Sequence, residues 1–524
     1  MEEIKERDKI RLMSTVAENN KRIAKNTVLL YLRMFVTMGV SLFTSRVVLQ
    51  TLGETDFGIY NIVGGIVVLF SFFNNAMSAS TQRFLSYEIG KNDFVEVKKV
   101  FNISLKVHIL LVLVILLLAE TVGLWFLNTQ MNIPSDRMYA ASWVYQFSII
   151  TFCINIIKVS YNATIIAYEK MNFYAYLSII EVVLKLAIVY LLIMFSFDRL
   201  ILYSILTTIV SLILLYSYKI YCNKTFIATH YEKTWDKRVA KKIISFSSWS
   251  LFGSVANVGA QQGLNVLLNI FYGVVVNAAV GIANQITHAI YGFISNFQTA
   301  FNPQIVKLYA AGNKEKCVGF TNQVSKFSYF LLLFISVPVL ICTDFILQKW
   351  LGVVPEYTAV FCRLIIVYLL IEALTAPFWM SVQATGKIRN YQILISSLII
   401  LSLPLSYFAL KMGYPPYVVW LIRIFMNFVC HIVRIIYLKV EIKLSMLEHL
   451  KTVIVPIFIS TILVFPIPLL IHKQTTAWSG FTLTLLVSVL CSTFVIYFIG
   501  FNDRERKIVF SVLKKNLARF SKKE

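Results

Sequence analysis

The feature that most limits what this chain can fold into is a recurrence of apolar stretches about twenty residues long or longer. They are separated by short polar turns and run from Thr27 to Phe501. About 20 residues at 1.5 Å rise cross the hydrocarbon of a bilayer, and a helix does so while satisfying its own backbone. Only 14% of the 524 residues are charged and 58% are hydrophobic, whereas ordinary soluble domains carry roughly 25% charged residues. A soluble enzyme, a disordered chain and a disulfide scaffold are thereby excluded. The seven cysteines stand singly, with no C-x-x-C and no metal-ligand spacing. The expected fold is an all-α polytopic membrane protein.

Fourteen spans can be read: 27–50, 57–85, 100–127, 139–167, 177–195, 200–222, 243–271, 274–302, 321–347, 359–382, 392–410, 418–438, 453–471 and 479–501. Spans 7 and 8 are nearly continuous and are divided at Tyr272-Gly273, where glycine allows a tight turn. Residues 1–26 are highly charged and the first apolar run is long and holds two arginines, so no cleavable signal peptide is expected. The 49 Lys+Arg against 26 Asp+Glu give +23, which in a soluble chain would suggest nucleic-acid binding. Here the cations sort by side. With both termini and every even-numbered loop assigned to the cytoplasm, the opposite loops hold only Arg137, Arg199, Lys349, Lys411 and Lys473. That asymmetry obeys the positive-inside rule and places both termini in the cytoplasm. No loop on the opposite side has room for a catalytic domain, and no G-x-x-x-x-G-K-[ST] occurs.

An internal repeat divides the chain further. Gln82, Tyr87 and Gly90 after span 2 match Gln304, Tyr309 and Gly312 after span 8, and Ala167, Lys170 and Tyr174 match Ala384, Lys387 and Tyr391. Six spans keep the same orientation in both copies, as in transporters built from parallel repeats. The expected plan is a cytoplasmic segment 1–26, an N-lobe 27–222 (spans 1–6), a basic cytoplasmic linker 223–242, a C-lobe 243–438 (spans 7–12), two further spans in 439–502, and a tail 503–524. The tail is basic and amphipathic, suited to an anionic leaflet.

Ionisable residues inside spans normally face a bundle interior or a wet cavity. Arg83, Lys326 and Arg434 lie near cytoplasmic ends, where they can snorkel to headgroups; Glu181 and Lys185 are spaced to pair along one helix face. Arg33, Arg46, Lys158, Arg363 and Arg423 remain as candidate cavity cations, and their excess over acids favours an anionic cargo group. Spans 1, 2, 7 and 8 are unusually polar: Asn74, Asn75, Gln261, Gln262, Asn265, Asn284, Gln285 and His288 are candidates for a cavity lining. They read either as hydrogen-bonded glue between helices or as the wall of a hydrated cavity. His288 alone is a weak sign of proton coupling. Prolines 303, 338, 377, 404 and 456 mark points where helices bend or end.

The run Leu52-Gly53-Glu54-Thr55-Asp56-Phe57-Gly58-Ile59-Tyr60, with its counterpart from Tyr272-Gly273 to Asn284-Gln285, resembles the polysaccharide exporters. These are the O-antigen (Wzx-type) flippases of the multidrug/oligosaccharidyl-lipid/polysaccharide exporter superfamily, and the resemblance extends along the chain in span count, duplication and short loops. It implies passage of an undecaprenyl-pyrophosphate-linked oligosaccharide from inner to outer leaflet by alternating access. It also implies cavity cations at Arg33 and Arg46, with Lys158 added by position. Span 8 departs from the related lipid II flippases in carrying no deep basic residue. No cofactor is implied, and proton or sodium coupling stays open. The implied partners are the lipid-linked oligosaccharide, membrane lipids and the polysaccharide assembly machinery, not nucleic acid, in the bacterial cytoplasmic (inner) membrane. A multidrug or cation antiporter of the same superfamily, or a membrane-embedded polymerase or glycosyltransferase, are the alternatives.

Overall fold

The computed structural model describes residues 25–41, 71–129, 133–194, 197–474, 478–503 and 505–507, and part of 43–63. The described residues are helical with short turns and contain no strand. Helix α1 covers residues 25–41, α2 Ser71–Gly90, α3 Phe94–Thr129, α4 Met138–Ala167, α5 Met171–Met194 and α6 Arg199–Thr225. The segment Lys237–Ala310 breaks at Gly273 (φ 74°, ψ −165°), giving α7 (237–272) and α8 (274–310). This is the position of the expected division, and the positive φ explains why glycine stands there. Then follow α9 Lys314–Ile341, α10 Thr358–Thr385, α11 Arg389–Lys411, α12 Val418–Ile442, α13 Met446–His472 and α14 Trp478–Gly500.

Ten of these helices are long and apolar enough to cross a bilayer among the described residues: α3–α6 and α9–α14. The sequence reading of fourteen is therefore not matched one for one. Of the other four, α1 and α2 are described over 25–41 and 71–90 alone, and α2, α7 and α8 are rich in amides and hydroxyls. Their positions differ: α2 and α8 meet each other and α10 around a shared cavity, whereas α7 keeps an exposed apolar face with Val255, Val266 and Ile270. Helices with protein on most sides can carry side chains that lipid would reject. In the N-lobe, α4 packs on α2, α3 and α6; in the C-lobe, α10 packs on α9 and α12; α13 and α14 lie against α9.

The turns α2–α3, α4–α5, α6–α7, α8–α9, α10–α11 and α12–α13 share one end, here called the basic end. At that end both lobes contribute to one core, in which Phe84 and Tyr161 share a cluster with Phe246, Val382 and Tyr391. Leu30, Ile166 and Met171 likewise meet Ala300. Towards the opposite end the cores separate, one built only from residues 59–201 and the other only from residues 264–496. The two bundles are thus joined at the basic end and part towards the other. The backbones come close at Gly90, where a Cβ would lie 2.6 Å from Cα of Lys307.

The N-lobe is stapled at its opposite end by Arg137, which donates to Asp56 at 2.6 Å and Asp198 at 2.7 Å. One side chain so ties Asp56 to the segments before α4 and α6. Partial burial alone raises the Asp198 carboxyl, but bonds from Arg137 and from the amides of Ile201 and Leu200 hold it below its ordinary value. A depressed native value adds stability that is complete above the unfolded pKa of about 4 and is lost as pH falls through the native value. Arg137→Gln is expected to cost about 1–3 kcal/mol near pH 7. The difference in melting should shrink below pH 4, and a difference undiminished at pH 3 would refute the assignment.

Candidate functional site

The lobes enclose a cavity of about 340 Å³ between α2, α8 and α10, lined by Asn75, Ser78, Gln82, Ser295, Gln298, Asn302 and Gln383, with Arg83 among its walls. Amides and hydroxyls predominate because the small polar residues of α2 and α8 face each other here. Asn75 lies in this wall. Asn74 is half-buried, and its Oδ1 meets no partner among the described residues.

Below the cavity two contacts hold the basic end shut. Arg83 on α2 donates from Nε to the Gln383 carbonyl (3.1 Å) and from Nη2 to the Ala384 carbonyl (2.8 Å). It thereby caps the last turn of α10, whose carbonyls lack helical partners. The next residue, Gly386, has φ 76°, and a Cβ on it would lie 2.7 Å from the guanidinium. The second contact repeats the first with lobes exchanged. Gln304 and Lys307 on α8 donate to Glu169 at 2.7 and 2.6 Å, just past the end of α4. Glu169 holds a positive φ of 59°, which costs a side chain roughly 1–2 kcal/mol. Of the residues matched in the internal repeat, Gln304 and Ala384 take part in these latches. Arg83 was expected to snorkel to headgroups; it is 7% exposed because an open helix end is nearer than water. Arg434 is corrected in the same way, being buried and donating to the Tyr391 hydroxyl at 2.8 Å. Lys326 also departs from that expectation and pairs, buried, with Glu505 at 2.6 Å.

Each lobe holds a second polar group. On the N-lobe side, Arg33 donates across the lobe boundary to Asn296 of α8 (2.7 Å) and to Ser178 of α5 (3.3 Å), with its guanidinium 4.7 Å from the Tyr174 ring centroid. Glu181 pairs with Lys185 at 2.7 Å, as its i, i+4 spacing predicts. It also lies in the field of Lys158 and Arg33. Three cations surround one carboxylate, and the Lys158 ammonium has no hydrogen-bond or ion-pair partner among the described residues. In the C-lobe, a small pocket is lined by Asn257, Glu372, Arg423, Asn427 and Arg434. Arg423 lies 4.8 and 5.1 Å from the ring centroids of Tyr368 and Trp420, and Asn427 donates to Glu372 at 3.3 Å.

Other expected residues stand elsewhere. Arg363 is removed from the cavity set: it is half-exposed and paired with Asp344 at 2.5 Å, because the short helix Thr343–Leu351 after α9 brings that carboxylate beside the start of α10. Gln261 and Asn265 continue, at i, i+4 spacing, the face of α7 that begins with Asn257 in the C-lobe pocket. Gln262 is exposed and accepts from Asn265 at 3.1 Å, Gln285 is exposed, and Asn284 is half-buried. Arg46 and the side chain of His288 lie outside the described residues, as do residues 508–524 of the expected amphipathic tail. Residues 229–236 of the linker are fastened to α3: Lys106 donates to the Glu232 and Thr234 carbonyls at 3.0 and 2.6 Å, so it is no cavity cation.

A family model, MatE, matches residues 30–191. No curated protein matches the chain. Among solved structures, an outward-facing multidrug-resistance MATE transporter of the MOP superfamily superposes with a TM-score of 0.71 at 14% identity, covering 81% of this chain and 96% of that one. A MATE protein in a bent conformation gives 0.70 at 15%, covering 81% and 96%. A MOP-superfamily transporter from Pyrococcus furiosus Vc1, described by the reverse polarity of its binding pocket, gives 0.67 at 15% with the same coverage. This integral membrane chain accordingly has the fold of the MATE transporters of the MOP superfamily.

Proposed function

We propose that this chain is an alternating-access transporter of the MOP superfamily, whose cargo carries an anionic head. The fuller reading is export of an undecaprenyl-pyrophosphate-linked oligosaccharide across the bacterial cytoplasmic membrane, with the basic end in the cytoplasm. The N-lobe cluster carries this reading. Lys185 already occupies Glu181, so Arg33 and Lys158 are an uncompensated charge inside a membrane bundle. Such a charge is costly unless an anion shares the site, and ammonium and guanidinium groups are the usual ligands of phosphate oxygens. The neighbour whose pocket polarity is described as reversed supports variation of cavity charge within one fold.

The test is flipping of a fluorescent prenyl-pyrophosphate oligosaccharide in proteoliposomes. Lys158→Glu with Arg33→Gln is expected to reduce the rate at least tenfold while the protein inserts normally. An unchanged rate removes both residues from the site.

A second reading, efflux of cationic small molecules driven by protons or sodium, is favoured by the multidrug transporters among the structural matches. It assigns the work to Glu181 and Glu372. It therefore predicts that Glu181→Gln and Glu372→Gln abolish efflux of a lipophilic dye cation, whereas the Lys158 and Arg33 variants spare it.

A further inference from the structure

A second, larger cavity opens at the basic end, about 980 Å³ in volume, between the ends of α2 and α3, the start of α7 and the α10–α11 turn. Seven cations face three carboxylates in it. Arg389 lies 5.4 Å from the Trp249 ring centroid and Lys91 lies 4.5 Å from that of Tyr87. Lys241 and Lys242 are exposed and form no ion pair among the described residues.

The same helices carry an apolar groove further along. It measures about 200 Å³ and lies between α2, α3 and α7, with Met77, Leu110, Val114, Ile244 and Leu251 in its walls and serines as its polar residues. One stripe of α3 lines both: Glu96 and Val100 belong to the charged vestibule, Val107, Leu111 and Val114 to the groove. These positions recur at helical spacing, so they share a face. Val100 and Val107 are seven residues apart, about 10 Å along the axis. Leu110, Val114 and Ile244 are 52, 48 and 42% exposed, which leaves the groove open to the bilayer.

A charged vestibule alone would suit any soluble anion. An apolar groove along the same helix faces requires a molecule that is anionic at one end and hydrocarbon beyond it. We propose that the seam between α2, α3 and α7 is a binding site for one anionic phospholipid, its phosphate among Lys241, Lys242 and Arg389 and an acyl chain in the groove. The vestibule also contains Arg83, which lines the inter-lobe cavity too. A lipid phosphate there lies beside the latch and is placed to influence its opening. Neither Arg33 nor Lys158 touches the seam, so loss of transport in their variants and failure of this proposal are separate results.

The test titrates the purified full-length protein with phosphatidic acid or phosphatidylcholine, counting bound lipids by native mass spectrometry. Inorganic pyrophosphate serves as the chain-free probe in a parallel binding measurement. The parent should retain one phosphatidic acid at least tenfold more tightly than phosphatidylcholine. Lys241→Glu with Lys242→Glu should erase that preference. Ser248→Trp fills the exposed groove without changing charge, and should weaken phosphatidic acid at least tenfold while leaving pyrophosphate binding as in the parent. All three positions are exposed, so folding is preserved, which helix content checks. Equal retention of the two lipids by the parent, or phosphatidic acid binding insensitive to Ser248→Trp, would overturn the proposal.

Discussion

Replacing Arg83 and Glu169 together by alanine is expected to open the basic end of the protein. Each latch is charge-assisted and buried, and hydrogen bonds to charged groups contribute about 1.5–3 kcal/mol each. Arg83 makes two such bonds and Glu169 receives two. Moving a two-state equilibrium from 1:99 to 99:1 takes about 5.5 kcal/mol, so losing both latches is of the right size to invert the populations. A single cysteine at Asn302, in the cavity between the lobes, reports the change in a background without the seven native cysteines. An impermeant maleimide added from the basic side should label the double variant at least tenfold faster than the parent, with each single variant between them. Equal labelling would show that the apolar contacts around Gly90 and Phe84, not the latches, keep that end closed.

The latches also show where sequence reading succeeds and where it stops. The residues paired in the internal repeat, Gln82 with Gln304 and Ala167 with Ala384, stand at or beside these turns. Which residues fasten them was hidden, since Arg83 in isolation has the position of a snorkelling side chain. Its partners are backbone carbonyls three hundred residues away, and only the packing of α2 on α10 reveals them. The helix positions were legible because apolar run length is a one-dimensional property. The polar helices α2, α7 and α8 were legible by composition, yet their side chains divide between an inter-lobe cavity, a lobe interior and solvent-facing positions. Helical periodicity does not distinguish these three. Among the expected cavity cations, Arg33 bonds across the lobe boundary to Asn296, Lys158 and Arg423 lie inside lobes, and Arg363 is claimed by Asp344 on the short helix after α9, a pairing no spacing rule encodes.

Glu505→Ala is expected to produce the largest loss of stability of any single substitution considered. Lys326 sits on α9 at 3% exposure, its ammonium 2.6 Å from Glu505. Glu505 also accepts from the amide of Asn502 at 2.8 Å, so its own turn presents it. Removing one partner of a buried pair leaves an uncompensated charge and costs about 3–5 kcal/mol. Membrane proteins commonly unfold irreversibly, so the measured quantity should be the half-life at a fixed elevated temperature. Glu505→Ala should shorten it by one to two orders of magnitude. Lys326→Met with Glu505→Leu removes both charges at similar volume and should recover most of the loss, since apolar replacement of a buried pair is often neutral or stabilising. Recovery identifies the orphaned ammonium as the cause. If the double variant is as short-lived as Glu505→Ala, the damage instead lies in the Asn502–Glu505 contact next to Phe501, which packs on Phe327 and Phe330 of α9.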